Sequence, residues 1–319
     1  MDNKLNISIT GASGLLGTYM AKSFIEKGHV VKGHRNKSAI PSELIDENIE
    51  WVQGDIREQF VVTELLKGCD ILIHCAAMVS FEKKQFDSMM SINVDGTKMV
   101  VDNMISKNIK LIHISSIAAL GRVDNCKPID EKVLFNPDVK NSAYAESKYE
   151  SELEVYRGIA EGLDAMILSP SVILGKNQRN TSSSTLWDQI LKMPKFSPKG
   201  ANGFVDVRDV VQAAENCLQN WNSGEKYILN GHNLSYFDLY NKVIEFKNIK
   251  VKSVKISPSI LYILLPFAKF FFFLTRTHSK ISREAIMSTS MSYAYDNNKS
   301  INELGVNYTS IDSSLKHSL

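Results

Sequence analysis

Short apolar runs and longer stretches of helical spacing alternate along the first two thirds of the chain. The runs Leu5 to Thr10, Val30 to His34, Ile49 to Val52, Ile71 to His74, Leu111 to Ser115 and Ala165 to Ser169 predict strands suited to burial on both faces. Between them, Leu15 to Lys27, Val61 to Lys67, Phe86 to Ser106 and Ala143 to Ala160 carry the period and length of helices, and Gly28 offers a stop after the first. Strands and helices in this alternation build an α/β fold, a doubly wound parallel sheet with helices on both faces. Ligands of such sheets bind beyond the carboxyl ends of the strands, so residues just after each strand are the ones to inspect.

The regularity breaks after Ser169. The stretch Gly175 to Gly203 is rich in Ser, Thr, Lys and Asn and predicts a loop or flap. A strand at Phe204 to Val207, a helix at Asp209 to Trp221 and a strand at Tyr227 to Asn230 resume the pattern. The remainder, Leu234 to Leu319, reads as mixed helices and short strands over the sheet edge. The expected organisation is a nucleotide-binding domain over 1–170, to which 204–230 returns, and a smaller mixed α/β substrate-binding region from 171–203 and 231–319. The most apolar segment, Ser257 to Arg276, contains Pro266 and Lys269, which suit a buried or patch-forming helix better than a bilayer span.

Composition narrows the function classes. With 44% hydrophobic and 23% charged residues over 319 positions, the chain can bury a core. Its 37 basic and 35 acidic residues give a formal net charge of +2, no general field for nucleic acid or acidic membrane, so anion recognition must be local. Cys69, Cys75, Cys126 and Cys217 form no CxxC pair and no His/Cys spacing that zinc needs. A disulfide framework and a metal site are not expected. The start MDNKLNISIT lacks the features of a signal peptide, and a reducing cytoplasm fits the cysteines.

Three motifs carry chemistry. Gly11-Ala12-Ser13-Gly14-Leu15-Leu16-Gly17 links the first strand to the first helix; glycines at this spacing allow a tight turn and close approach of a pyrophosphate to free helix N–H groups. Tyr144 and Lys148, four apart, share a helix face, where an ammonium can favour the ionised phenol and make it a usable base. The strand before them ends in Ser115 and Ser116, whose hydroxyls can orient a substrate oxygen at the sheet edge.

Taken in this order, the motifs resemble the extended short-chain dehydrogenase/reductase family, part of the NAD(P)-dependent epimerase/dehydratase superfamily, over nearly the whole length. That resemblance implies a Rossmann fold. It also implies Ser116, Tyr144 and Lys148 as the catalytic set, with Lys148 holding the nicotinamide ribose, Ser115 beside Ser116 and Asn93 supporting the active-site helix. Cofactor contacts follow for the glycine loop (Gly11, Ser13, Gly14, Leu15, Leu16, Gly17), for Asp55 and Ile56 at the adenine, for Ala76 and Ala77 after the fourth strand, and for Pro170 and Ile173 beside the nicotinamide. Family dehydratases carry an Asp-Glu pair after the catalytic hydroxyl residue; Ile117 and Ala118 stand here, against dehydration. The C-terminal marks, Tyr295-Asp296-Asn297-Asn298-Lys299-Ser300 and Glu303-Leu304-Gly305, resemble the dihydroflavonol-reductase-like branch.

The end of the second strand separates the cofactors. A carboxylate there accepts hydrogen bonds from both ribose hydroxyls of NAD, whereas arginine favours a 2′-phosphate. Counting from Gly11, the position is Arg35, flanked by His34, Asn36 and Lys37. The expectation is an NADP-dependent oxidoreductase that interconverts a carbonyl and an alcohol on a small, moderately apolar substrate, with a homodimer as one arrangement. The alternatives are an NAD-dependent nucleotide-sugar epimerase or dehydrogenase, and a non-catalytic NAD(P)-binding sensor or assembly factor.

Overall fold

Each apolar run needs cover on two faces, and the chain supplies it by crossing from strand to helix and back. A computed structural model describes residues 4–80, 82–122, 127–139, 141–176, 182–263, 265 and 283–319. The first half of the winding runs β1 (Asn6–Thr10), α1 (Leu15–Glu26), β2 (Val30–Arg35) and β3 (Ile49–Gln53). The second runs α2 (Gln59–Leu66), β4 (Ile71–His74), α3 (Phe86–Met90), α4 (Gly96–Met104), β5 (Lys110–Ile114), α5 (Ala143–Ala160) and β6 (Ala165–Pro170). These strands, with a later one at Lys226–Leu229, form a seven-stranded parallel sheet. From β1 the order proceeds to β2 and β3 on one side and to β4, β5, β6 and the later strand on the other. The reversal between β1 and β4 opens a crevice at their carboxyl ends, the position where such sheets take ligands.

One face of the sheet packs Leu16, Met20 and Phe24 of α1 against Ile7, Ile9 and Val31; the other packs Val61, Val62 and Leu65 of α2, Val100 and Val101 of α4 and Val155 of α5 against Leu72, Leu111 and Ile167. Fully burying each such side chain stabilises by about 1.5–3 kcal/mol, which holds the strand ends in register beneath the crevice. The stretch read as one helix, Phe86 to Ser106, is α3, a π-helical turn over Ser91–Asp95 and α4. π-turns inside helices frequently mark functional sites.

Beyond β6 come β7 (Val172–Leu174), α6 (Ser182–Lys192), β8 (Phe196–Pro198), β9 (Ala201–Asp206), α7 (Val207–Gln219) and β10 (Lys226–Leu229). Asp206 caps α7 by accepting from the Arg208 N–H, so the helix starts at Val207, two residues before the expected start. Where a flap was expected over Gly175 to Gly203, the described residues from Ser182 on form α6, β8 and the start of β9. Trp187 and Ile190 of α6 are buried with Leu174, Phe204, Tyr236 and Leu239 in a separate core, and this packing outweighs the polar bias of the stretch. β11 (His232–Ser235) pairs antiparallel with β9 in a three-stranded sheet with β7, and α8 (Tyr236–Phe246) follows. Of the apolar segment Ser257 to Arg276, residues 258–263 are helical, and most of the rest lies outside the described residues, as does Cys126. No helix among the described residues is long and apolar enough to cross a membrane.

Candidate active site

The glycine loop leaves β1 with Gly11 at φ +66°, a conformation natural to glycine, and a Cβ there would stand 2.9 Å from Ala76 Cα. Gly17 lies on α1, where a Cβ would meet the Gly11 carbonyl oxygen at 2.3 Å. The two glycines thus let strand, turn and helix pack together. Gly14 caps α1 without any side-chain hydrogen bond, so the first-turn N–H groups at Leu15, Leu16 and Gly17 are donors at a positive helix end. This uncapped, tightly packed cradle fits the pyrophosphate of a dinucleotide. Ser13 Oγ lies 2.6 Å from Ser38 Oγ, tying the loop to the residues after β2.

Arg35 ends β2 with its guanidinium in neutral company: the Ser38 carbonyl accepts at 2.8 Å and Gln53 Oε1 at 2.6 Å. Lys37 is exposed beside it. After β3, Asp55 does not stand open. Arg57 donates to both its oxygens and to Oδ1 through the backbone N–H, and this guanidinium holds the carboxyl down at about 2. Ile56 is buried next to it. Sequence reasoning did not single out Arg57, though its place two residues after Asp55 was visible.

After β4, Ala77 is exposed, while the Ala76 N–H donates to Thr10 Oγ1 at 3.0 Å. Thr10 Oγ1 also lies 2.8 Å from His74 Nδ1, and His74 Nε2 lies 3.1 Å from Thr97 Oγ1, which itself donates to the Asn93 carbonyl. Burial pushes the His74 imidazole down to about 3, so it is neutral, and its partners fix the proton on Nε2. Asn93 sits in the π-turn, within the stretch the sequence read as a helix, and its side chain reaches back. It accepts from the Met78 N–H at 2.7 Å and donates to the Met78 carbonyl and to Ser147 Oγ, while Ser147 donates to the Tyr144 carbonyl.

α5 begins at Ala143 because Ser142 accepts from the Ala145 N–H, which puts Tyr144 in the first turn. Ser116 stands beside Tyr144, near enough for its hydroxyl to favour the ionised phenol. Ser116 also caps a short 3-10 turn at Ala118. Ser115, its neighbour, is buried, and its Oγ meets no hydrogen-bond partner. Lys148 is 3% exposed and donates to the Ile114 carbonyl at 2.8 Å. Burial lowers its ammonium to about 8, with Glu152 and then Cys75 acting in the other direction. The phenol departs from the sequence expectation: Tyr144 is raised, because burial outweighs the hydrogen bond from Ser116. Pro170 ends β6 within the buried sheet, and Ile173 lies in β7, partly buried against the main core.

The strand ends therefore bring the glycine loop, Arg35, Asp55, Ala76, Ser116 and Pro170 to one edge, and α5 adds Tyr144 and Lys148. A cleft of about 890 Å³ runs from Ser13 and Leu15 along α1 to Lys22, walled by Lys176, Arg208 and His317. It adjoins the glycine loop and does not include the Ser116–Tyr144 pair. Among the described residues no His, Cys, Asp and Glu cluster could hold a metal ion.

The sheet order and glycine loop define a nicotinamide-dinucleotide-binding Rossmann fold. More narrowly, residues 7–230 match the NAD dependent epimerase/dehydratase family, and the chain belongs to it. It is 26% identical over 322 residues to a putative dihydroflavonol 4-reductase of Synechocystis sp., covering 96% of this chain and 91% of the relative. Against cinnamoyl-CoA reductase 1 of Petunia hybrida it is 27% identical, covering 65% of this chain and 67% of the relative. Among solved structures, gox2253 superposes with a TM-score of 0.83 at 26% identity, covering 99% and 97% of the two chains. The Bordetella bronchiseptica enzyme WbmH, solved with NAD+, superposes with a TM-score of 0.76 at 18% identity, covering 99% and 97%.

Proposed function

We propose that the protein is an NADP-dependent oxidoreductase that interconverts a carbonyl and an alcohol on a small, moderately apolar substrate. The observation that carries this reading is the placement of Ser116 beside Tyr144, with buried Lys148 one helical turn on, at the carboxyl edge of the sheet. When bound, the nicotinamide supplies or accepts the hydride. Tyr144 keeps its proton through neutral pH because burial raises the phenol, and it gives that proton to the substrate oxygen as a carbonyl is reduced. Ser116 orients that oxygen, and Lys148 offsets the phenolate charge that remains. The free donors at Leu15, Leu16 and Gly17 hold the pyrophosphate, and Arg35, with Lys37 nearby, favours a 2′-phosphate.

The test is NADPH oxidation with a panel of aldehydes, ketones and keto-sugars. Tyr144→Phe should cut turnover by about 10²–10⁴-fold while leaving NADPH affinity nearly unchanged. A variant with wild-type turnover refutes the mechanism. NAD retained through purification, or NAD bound more tightly than NADP, would favour the epimerase reading instead.

A further inference from the structure

Beneath the carboxyl edge, on the face that α5 covers, lies a second pair of charges that proton transfer itself does not call for. Tyr144, Lys148 and Glu152 follow one another at four-residue intervals down one stripe of α5. Glu152 is 2% exposed, and its Oε2 lies 2.6 Å from Nζ of Lys226, at the start of β10. Ser169 Oγ stands 3.5 Å from Oε1. As a stabiliser such a buried pair is weak, because desolvating both ions costs about what their attraction returns. Its position beside Lys148 gives it another use.

The groups that face Lys148 come from several elements: His74 and Cys75 from the end of β4, His113 from β5, Tyr144 and Glu152 from its own helix, and Lys226 behind Glu152 on β10. Burial keeps both imidazoles neutral, and it pushes the Cys75 thiol up to about 12 and raises the Tyr144 phenol. Among these groups Glu152 is the only carboxylate, and Lys226 is the only other cation.

We infer that Glu152 is a positioning residue for Lys148: its carboxylate, itself held by Lys226, keeps the Lys148 ammonium charged in a dry site, and the pair sets the pH range over which the lysine can serve Tyr144. The catalytic meaning of this inference rests on the proposed function; the electrostatics do not. Glu152 acts through Lys148, and its own hydrogen-bond partners are Lys226 and Ser169.

The full chain can be tested without turnover. Lys148, isotope-labelled at Cε and assigned by the loss of its signal in Lys148→Met, is titrated by NMR in four proteins: wild type, Glu152→Gln, Lys226→Met and the double variant. Glu152→Gln should lower the Lys148 midpoint by about one pH unit or more, and Lys226→Met should raise it. The double variant should fall between Glu152→Gln and wild type, since the carboxylate acts on Lys148 more strongly than Lys226 does. Each single variant strands a buried charge and can fail to fold; the double variant removes both charges and carries the test alone if they do. A double-variant midpoint at the wild-type value, or a downward shift in Lys226→Met, overturns the inference. Midpoints that shift as stated in an enzyme whose Tyr144→Phe variant keeps full turnover would support the electrostatic pair and sink the proposed function. Unmoved midpoints with an inactive Tyr144→Phe would do the reverse.

Discussion

Removing the Arg35 guanidinium gives the most direct reading of cofactor class. Its two Nη groups donate to neutral acceptors, the Ser38 carbonyl at 2.8 Å and Gln53 Oε1 at 2.6 Å, so no carboxylate divides the charge that a 2′-phosphate would meet. A hydrogen bond to a charged group contributes about 1.5–3 kcal/mol, and each 1.4 kcal/mol is tenfold in affinity. Arg35→Ala should therefore weaken NADPH binding about 10- to 100-fold and leave NADH binding within about threefold. The acceptors that Arg35 leaves are at the edge of the protein and return to water, so the fold should lose no more than about 0.5 kcal/mol. The assay is a pair of equilibrium titrations, NADPH and NADH, on wild type and variant, and it needs no knowledge of the substrate. The wild-type preference should also shrink as salt rises, because an exposed charge pair is screened. If the NADPH-to-NADH ratio does not change, or both affinities fall together, Arg35 does not read the 2′-phosphate.

Two further predictions concern stability. Gly17→Ala should destabilise by about 1–3 kcal/mol despite alanine's better helix propensity, because the new Cβ meets backbone atoms, Gly11 O at 2.3 Å and Ala12 Cα at 2.7 Å, that cannot rotate away; a urea midpoint at or above wild type would show that the turn can yield. Lys148→Met should abolish turnover yet raise stability at pH 7 by roughly 3 kcal/mol, since burial brings the ammonium down to about 8 from its ordinary value of about 10.5 and the folded state carries that penalty while the lysine is charged. The sign follows from proton counts: above pH 8 the unfolded chain binds more protons than the folded one, so wild type gains stability relative to the variant until the unfolded lysine also titrates. Thermal melts of both proteins should differ most below pH 8 and converge toward pH 10.5. A difference that is constant with pH would assign it to packing.

The strands were legible because a doubly covered strand must be an apolar run, and Ile71 to His74 or Ala165 to Ser169 have no other plausible cover. Tyr144, Lys148 and Ser116 were legible because short spacing on one helix and one strand end fixes their neighbourhood. The α6 helix was hidden by its Ser- and Thr-rich first turn; what decides it is the burial of Trp187 and Ile190 against Phe204 and Tyr236, partners set by the fold. The π-turn at Ser91–Asp95 left no trace in the helical period. Glu152 stood on the same stripe as Tyr144 and Lys148, but its partner Lys226 is 74 residues away, beyond any spacing rule.

Sheet register explains why so many polar groups are buried under one edge. Lys226 pairs with Ile167, Ile167 with His113, His113 with His74, and His74 with Thr10, so one rung crosses five adjacent strands directly below the crevice. Apolar residues on that rung would have been cheaper to bury. Neither ring nitrogen of His113 meets a hydrogen-bond partner and Lys226 pairs with Glu152, but Thr10 and His74 link parts that must move as one. The Ala76 N–H donates to Thr10, Thr10 to His74, His74 to Thr97 and Thr97 to the Asn93 carbonyl, while the Asn93 side chain grips Met78 and Ser147. A run of donors with a fixed direction holds only one arrangement of its members. The strand that enters the glycine loop is thereby tied to the helix that carries Tyr144 and Lys148, and the glycine loop and the proposed proton-transfer pair keep their spacing through hydrogen bonds that neither needs for itself.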